Sequence, residues 1–434
     1  MEHALPLAMA AVTLTAILAG YRVAFVLAGT AALFILVSDL PQAFFKLIVS
    51  RIYANVLSNW LLVAIPMFIF MGLILEKSGV AERALKGAQT ALGGTKAGMG
   101  ISVLVIGVLL AASSGIVGAS VVLLALLALP RLLETGYDKA TSAGLIASSG
   151  TLAILIPPSV MLIVLGDQLQ APVPSMFSGA IGPGLLLVTL YAGYLVLMTR
   201  GGTGVPRGEP VGFIRLTFDV APLVLLVICV LGSIIGGIAT PTEASGLGAL
   251  GAILITALYG RFQPSVVMQA ARETVIATSM VMMVMVGATC FSAVFRGVGG
   301  DEMILGGLDA LGGGAWTVLF VVMGAIFVLG FVLDWLEITL ILMPIFGPLI
   351  AGLDFGNGLD RQAVLIWFGI LVALNLQTSF LTPPFGFSLF YLRGAAKGQL
   401  ATTEVYRGVV PFICLQLLAL GLLLAFPWIA TGLI

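Results

Sequence analysis

Residues 148–159 read Ser-Ser-Gly-Thr-Leu-Ala-Ile-Leu-Ile-Pro-Pro-Ser, and residues 376–387 read Leu-Gln-Thr-Ser-Phe-Leu-Thr-Pro-Pro-Phe-Gly-Phe. Each stretch carries Ser or Thr into a Pro-Pro pair, Pro157-Pro158 and Pro383-Pro384, in the middle of a long apolar run. Proline lacks its N–H and frees the carbonyl one turn back, so two in succession predict an unwound helix. Unwound backbone at membrane depth survives only when it is buried in protein or lines a cavity. Freed carbonyls and neighbouring hydroxyls are hard oxygen ligands for Na⁺, and half-helix N-termini face anions. A single Pro-Pro also fits a plain kink. Two at matching places favour a site.

The apolar surroundings extend over the whole chain. Only 9% of the 434 residues are charged, against about 25% in soluble domains. That excludes a soluble enzyme, a disordered scaffold and a nucleic-acid binder, and the net charge of zero gives no pull on a polyanion. A β-barrel would alternate polar and apolar residues, which this chain does not. Cys229, Cys290 and Cys414 sit in apolar runs as small fillers, with no disulfide framework. The single histidine, His3, leaves no His chemistry for the core. With Glu2 and no Lys or Arg before the first apolar run, a cleaved signal peptide is not expected.

A crossing needs about 20 apolar residues. Ten full crossings are expected near 4–20, 23–40, 57–75, 140–165, 175–198, 217–235, 243–259, 273–295, 362–390 and 409–431. Two apolar regions, 98–130 and 315–350, are too long for one span. Each is broken near its middle, at Ser113-Ser114-Gly115 and at Asp334-Trp335-Leu336-Glu337. With both regions folded back as hairpins and the N-terminus outside, Lys46, Arg51, Arg296 and Arg361 fall outside and the remaining fifteen Lys and Arg inside. Single spans there would reverse the segment between them, against the positive-inside rule. A pair of full spans gives the same parity as a hairpin and stays open. The N- and C-termini both fall on the outer side.

The order of elements repeats: three crossings, a hairpin, a broken crossing and one more crossing, then the same again from about residue 217. Five crossings per half invert the second half, the construction of many secondary transporters. Five segments result: scaffold spans 1–97, hairpin and broken helix 98–200, a Gly/Pro/charge-rich linker 201–216, scaffold spans 217–300, and hairpin, broken helix and last span 301–434. The expected fold is an all-α polytopic membrane protein, an inverted repeat with two re-entrant hairpins and two broken helices.

Several other residues carry more than one reading. Asp334 and Glu337 lie three apart, fit for cation coordination, gating or capping of a hairpin arm. Thr240-Pro241-Thr242-Glu243 reads as a helix start. Arg393 is a cytoplasmic anchor or an aid to anion attraction. Residues 41–58, with Lys46 and Arg51 among spaced apolar positions, fit an amphipathic surface helix at the lipid interface or a contact for a partner. Met280, Met282, Met283 and Met285 read as filler. No nucleophile–base motif and no Gly-x-x-x-x-Gly-Lys-Ser/Thr loop is present, so neither an intramembrane enzyme nor ATP drive is supported.

Four stretches in order, Pro66–Gly72, Ala112–Ser120 with Pro130 and Gly136-Tyr137-Asp138, Gly150–Ser159, and Ala239–Ala244, are similar to the large membrane subunit of TRAP transporters, the tripartite ATP-independent periplasmic carriers of organic acids. Leu333-Asp334 and Leu381–Pro384 agree, and the likeness covers nearly the whole chain. Ser-Gly-Ile-Val-Gly-Ala and Asp-Trp-Leu-Glu-Ile resemble the branch handling α-keto acids, 2-hydroxy acids and other monocarboxylates.

The resemblance implies a sodium-driven elevator-type symporter, of the ion transporter superfamily's general design, in the bacterial inner membrane. It implies a small four-span membrane subunit, a periplasmic solute-binding protein, a small organic anion as cargo, and Na⁺ as coupling ion with no other cofactor. By motif, one sodium site would use Ser114, Val117, Gly150, Ala153 and Leu155. The other would use Gly330, Ser379, Thr382 and Phe385. Ser113, Pro157, Pro158, Asp334, Pro383 and Pro384 would face the solute. Many relatives carry hydroxyl residues where this chain has Ile116 and Val117, and Gly where it has Ser379. The alternatives are a binding-protein-independent sodium/carboxylate symporter and a passive channel.

Overall fold

The computed structural model describes residues 4–38, 40–41, 43–92, 94–199, 213–310, 312 and 314–434. Among these residues there is no strand. The first half holds α1 (Ala4–Leu18), α2 (Val23–Val37), α3 (Ala43–Ile52), α4 (Ala64–Lys77), α5 (Val80–Leu92), α6 (Lys96–Ser114), α7 (Val117–Glu134), α8 (Lys139–Thr151), α9 (Val160–Leu169) and α10 (Val173–Met198). The second holds α11 (Phe213–Ile235), α12 (Pro241–Leu258), α13 (Pro264–Gly297), α14 (Gly300–Ala310), α15 (Ala315–Leu329), α16 (Trp335–Ala351), α17 (Arg361–Leu381), α18 (Phe387–Ala395), α19 (Thr402–Ala425) and the short α20 (Trp428–Thr431). The linker expected at 201–216 falls mostly outside the described residues.

Eight helical segments among the described residues are long and apolar enough to cross a membrane. Helices α1 and α2, both expected as crossings, have 15 residues each, or about 22 Å at 1.5 Å per residue. Helix α13 is longer than expected. It runs 34 residues, about 51 Å, because Pro264 seats it at its first turn and no second proline follows.

The inverted repeat is visible in the packing. Helix α2 lies along α13, and α12 lies along α4. Those are the two crossed pairings that a two-fold relation between the halves requires. Two helices were not anticipated. Helices α5 and α14 each precede a hairpin. Helix α5 buries Val80, Ala81, Ala84, Leu85 and Ala88 on one face, a period of three to four with Glu82, Arg83 and Lys86 between.

Each hairpin stops at the middle of a broken helix. At the first tip Gly115 has φ +61° and ends α6, a conformation glycine adopts at no steric cost. A Cβ there would stand 3.2 Å from the backbone nitrogen of Val160, where α9 begins. At the second tip a Cβ on Gly330 would meet Ser379 Oγ at 2.5 Å. The tips therefore reach the centre of a crossing rather than its far end, which makes both hairpins re-entrant.

Polar clamps hold one end of the bundle. Arg83 Nε donates to Asp219 Oδ1 at 2.5 Å, and its guanidinium lies 4.3 Å from the Tyr259 ring centre. Lys77 pairs with Glu273 at 2.9 Å. Arg261 donates to the carbonyls of Ser78 and Gly79. Helices α4, α5, α11, α12 and α13 are joined in this way. Tyr137 donates to the Lys96 carbonyl at 2.5 Å, and burial pushes its phenol up to about 12, so it stays a donor. Asp138 then caps α8 through the N–H groups of Ala140 and Thr141. The Gly136-Tyr137-Asp138 motif is thus a turn, a tie and a cap.

Helices α8 and α19 touch backbone to backbone. A Cβ at Gly144 would lie 2.0 Å from the Gly408 carbonyl oxygen, and one at Gly408 1.9 Å from that of Ala140. The short α20 docks on α10 in the same manner, with Gly182 under the Ile429 carbonyl and Gly179 under that of Ala430.

Candidate functional site

The first break begins where α8 gives way to a 3₁₀ turn, Leu152–Ile154, and ends at Ser159, before α9. The second spans Thr382–Gly386, between α17 and α18. Both Pro-Pro bonds, Pro157-Pro158 and Pro383-Pro384, are cis. Equivalent positions in the two breaks are 226 residues apart, as the Pro-Pro pairs show. Ser159 donates to the Ile154 carbonyl at 3.0 Å, and Ser388 donates to the Phe380 carbonyl at 2.6 Å. Ile154 and Phe380 are equivalent positions. In both halves a serine beyond the prolines thus satisfies the same freed carbonyl.

The residues expected at the first ion site converge. Val117 opens α7 and is buried. Gly150 faces that helix so closely that a Cβ would stand 3.0 Å from the Val121 backbone. Ala153 and Leu155 are fully buried, and the 3₁₀ turn packs against both arms of the hairpin. The side chains of Ser113 and Ser114 lie outside the described residues. Their backbone forms the last turn of α6.

At the second site Gly330 and Ser379 are in contact, and Ser379 Oγ donates to the Phe327 carbonyl at 2.9 Å. Thr382 Oγ1 donates to the Thr378 carbonyl at 2.8 Å, and the Pro384 carbonyl accepts from Tyr406 at 3.2 Å. Phe385 is 56% exposed. The two breaks differ in access: Pro157 and Pro158 are buried, whereas Pro383 is half-buried and Pro384 exposed.

Asp334 and Glu337 serve as a helix cap. Asp334 Oδ1 accepts from Trp335 N at 2.8 Å, and Glu337 Oε2 accepts from Asp334 N at 3.1 Å. This capping box opens α16. Thr240 and Glu243 form another at the start of α12.

Two polar residues of α17 went unremarked in the sequence. Asn375 Nδ2 donates to the Met323 carbonyl at 2.8 Å. Gln377 Nε2 donates to Thr151 Oγ1 at 3.3 Å. The signal was present: polar side chains in a helix whose residues from 366 to 381 are all buried need partners.

A cavity of about 1340 Å³ opens at the end of the bundle that carries Arg51, Arg296 and Arg361, lined also by Asn59, Asp167 and Pro344 among others. Asn59 Nδ2 donates to Asp167 Oδ1 at 2.7 Å. Arg296 donates to the Pro344 carbonyl and lies 3.5 Å from Asp301. No residue on that list had been singled out for this place beyond the charge count that put Arg51, Arg296 and Arg361 outside.

The arrangement offers two oxygen-rich breaks, each closed by a hairpin tip, at the centre of a membrane bundle. The fold is similar to that of the transporter described as "Crystal structure of the Alcanivorax borkumensis YdaH transporter reveals an unusual topology", with a TM-score of 0.61, 16% identity, and coverage of 90% of this chain and 89% of that one. Among curated relatives, the chain is 32% identical to the ectoine TRAP transporter large permease of Halomonas elongata over 85% of each protein. It is 28% identical to the C4-dicarboxylate TRAP transporter large permease of Pseudomonas aeruginosa over 86% of each. It is 29% identical to the isethionate TRAP transporter permease protein DctMQ of Oleidesulfovibrio alaskensis, over 86% of this chain and 58% of that one. The family described as "Tripartite ATP-independent periplasmic transporter, DctM component" matches residues 8–429, and the chain belongs to that family.

Proposed function

We propose that this permease carries out sodium-coupled uptake of a small organic acid across the bacterial inner membrane. A periplasmic binding protein delivers the solute, and a small four-span subunit packs beside the permease. The observation that carries the reading is the matched pair of breaks, each met by a re-entrant tip. Carbonyl-rich breaks suit Na⁺, and the half-helix N-termini of α9 and α18 suit a carboxylate. The relatives' names point to carboxylate, sulfonate and zwitterionic solutes. The α-keto or 2-hydroxy monocarboxylates and the C4-dicarboxylates are the first classes to test. The tripartite family name supports the two partners, and the longer DctMQ relative, 58% of which this chain covers, fits an additional membrane segment.

In this reading residues 98–200 and 301–434 move as one body against a scaffold of residues 1–97 and 217–300. Ser114, Val117, Gly150, Ala153 and Leu155 hold one Na⁺, largely through carbonyls. Gly330, Ser379, Thr382 and Phe385 hold the other. Ser113 and the two Pro-Pro turns face the solute, and Asp334 shapes that wall by capping α16. Inward movement of Na⁺ gains about 2.3 kcal/mol per charge per 100 mV, so one ion beyond the charge of the anion drives accumulation. Both termini lie on the periplasmic side.

The test is uptake into proteoliposomes holding the permease with its small subunit. A panel of labelled carboxylates is offered with and without a sodium gradient and the binding protein. Uptake that requires both supports the proposal. Uptake that needs sodium alone points to a binding-protein-independent symporter, and flux indifferent to sodium to a facilitator or channel.

A further inference from the structure

Thr151 and Gln377 are equivalent positions of the two repeats, 226 residues apart, and they bond to each other. Each stands within a few residues of its own proposed ion site: Thr151 between Gly150 and Ala153, Gln377 two residues before Ser379. Thr151 spends its single hydroxyl proton on the Ser148 carbonyl at 2.8 Å. Its oxygen is thereby left to accept from the Gln377 amide. The chain of bonds runs from α17 through Thr151 into the backbone of α8. Both side chains have 0% exposure, so neither can turn to water if the bond breaks. Gln377 Oε1 is buried and has no partner.

The other face of α17 is tied to the second hairpin. Asn375 bonds to the Met323 carbonyl and Ser379 to that of Phe327, one turn apart. Residue 377 lies about 200° round from residue 375, so α17 is held between α15 and α8. A small displacement of α17 as the Gly330–Ser379 site fills is delivered to Thr151, in the wall of the other site.

We infer that the Thr151–Gln377 hydrogen bond couples the two ion sites, making Gln377 and Thr151 positioning residues through which filling of one site favours filling of the other. This rests on the sodium reading proposed above. Allosteric coupling needs two sites and an element that both bias, and α8 and α17, joined at this bond, supply it.

The probe is sodium alone, measured as equilibrium binding of radiolabelled sodium to the purified permease, with choline holding ionic strength constant. The unaltered protein is expected to bind sigmoidally, with a Hill coefficient above 1. Gln377→Leu and Thr151→Val are each expected to bring it to 1 and to raise half-saturating sodium about fivefold or more, the ordinary range of site–site coupling. Thr151→Ser keeps the hydroxyl and is expected to behave as the parent. This rescue separates the bond from mere packing, including where a variant folds poorly. Hyperbolic binding in the parent, cooperativity retained in both apolar variants, or its loss in Thr151→Ser would overturn the coupling and leave the sodium reading intact. No sodium binding by the folded parent overturns both.

Discussion

Asn59 and Asp167, 108 residues apart, meet at the large cavity, where the Asn59 amide donates to Asp167 Oδ1 at 2.7 Å. Asn59 precedes α4, in the scaffold of the proposed division, and Asp167 ends the first broken helix. If the two bodies slide, this bond must break in every cycle. In a protein whose native cysteines are replaced, Asn59→Cys with Asp167→Cys is expected to stop uptake on oxidation and to recover it on reduction. A bridged protein that transports at the unbridged rate would show that these segments do not separate.

Gly330 tolerates no side chain while Ser379 stands opposite. The variant Gly330→Ala sets a methyl 2.5 Å from Ser379 Oγ, and overpacking of this kind costs about 1–3 kcal/mol. It is expected to lower sodium affinity about tenfold or more. The double variant Gly330→Ala/Ser379→Gly opens the space again and is expected to recover most of the loss. Additive losses in sodium titrations of uptake would place the two residues in separate sites.

Asp334 can be tested as a cap. Asn and Ser cap nearly as well as Asp, whereas Ala loses about 1 kcal/mol. Melting temperature and uptake are expected to survive Asp334→Asn and to fall in Asp334→Ala. Uptake lost in Asp334→Asn at unchanged stability would instead assign the carboxylate charge a direct part in transport.

Arg361 begins α17 and lines the same cavity. Its charge should raise the local concentration of an anionic solute, an effect that salt screens. Arg361→Gln is expected to raise KM about 3–10-fold at low ionic strength with kcat unchanged, and the difference should shrink at high salt. A KM indifferent to the substitution at both salt levels would remove the cavity from the solute's path.

The broken helices and the first hairpin were legible because their cause is local: a Pro-Pro pair, or a Gly after two serines, in an apolar run allows few conformations. The second hairpin was read from Asp334 to Glu337, which prove to be the cap and first turn of α16, while its turn lies just before them, from Gly330 to Leu333. The capping role of Asp334 was equally readable from Asp-x-x-Glu, yet it stayed one of several, since spacing alone does not say whether a carboxylate turns to its own backbone. Helix α5 escaped because Glu82, Arg83 and Lys86 make the segment look like a loop, while its buried face has only small residues and Leu85. The overlong α13 escaped because Arg272 and Glu273 suggested a membrane boundary where the helix simply continues. That Gln377 needs a partner was readable from a polar side chain in an apolar run, but that the partner is Thr151 was not. The contact exists because an inverted repeat brings equivalent positions together, and only the assembled fold shows which ones.

The docking of Trp428–Thr431 onto Gly179 and Gly182 of α10 makes the last helical turn a built-in handle. In the proposed division that turn travels with the moving body, while Ala4–Leu18, packed on α2, stays with the stationary one. A dye placed near Ile434 and another near Ala4 would then act as a ruler, and their separation would report the length of the stroke without a label near the solute or the ions.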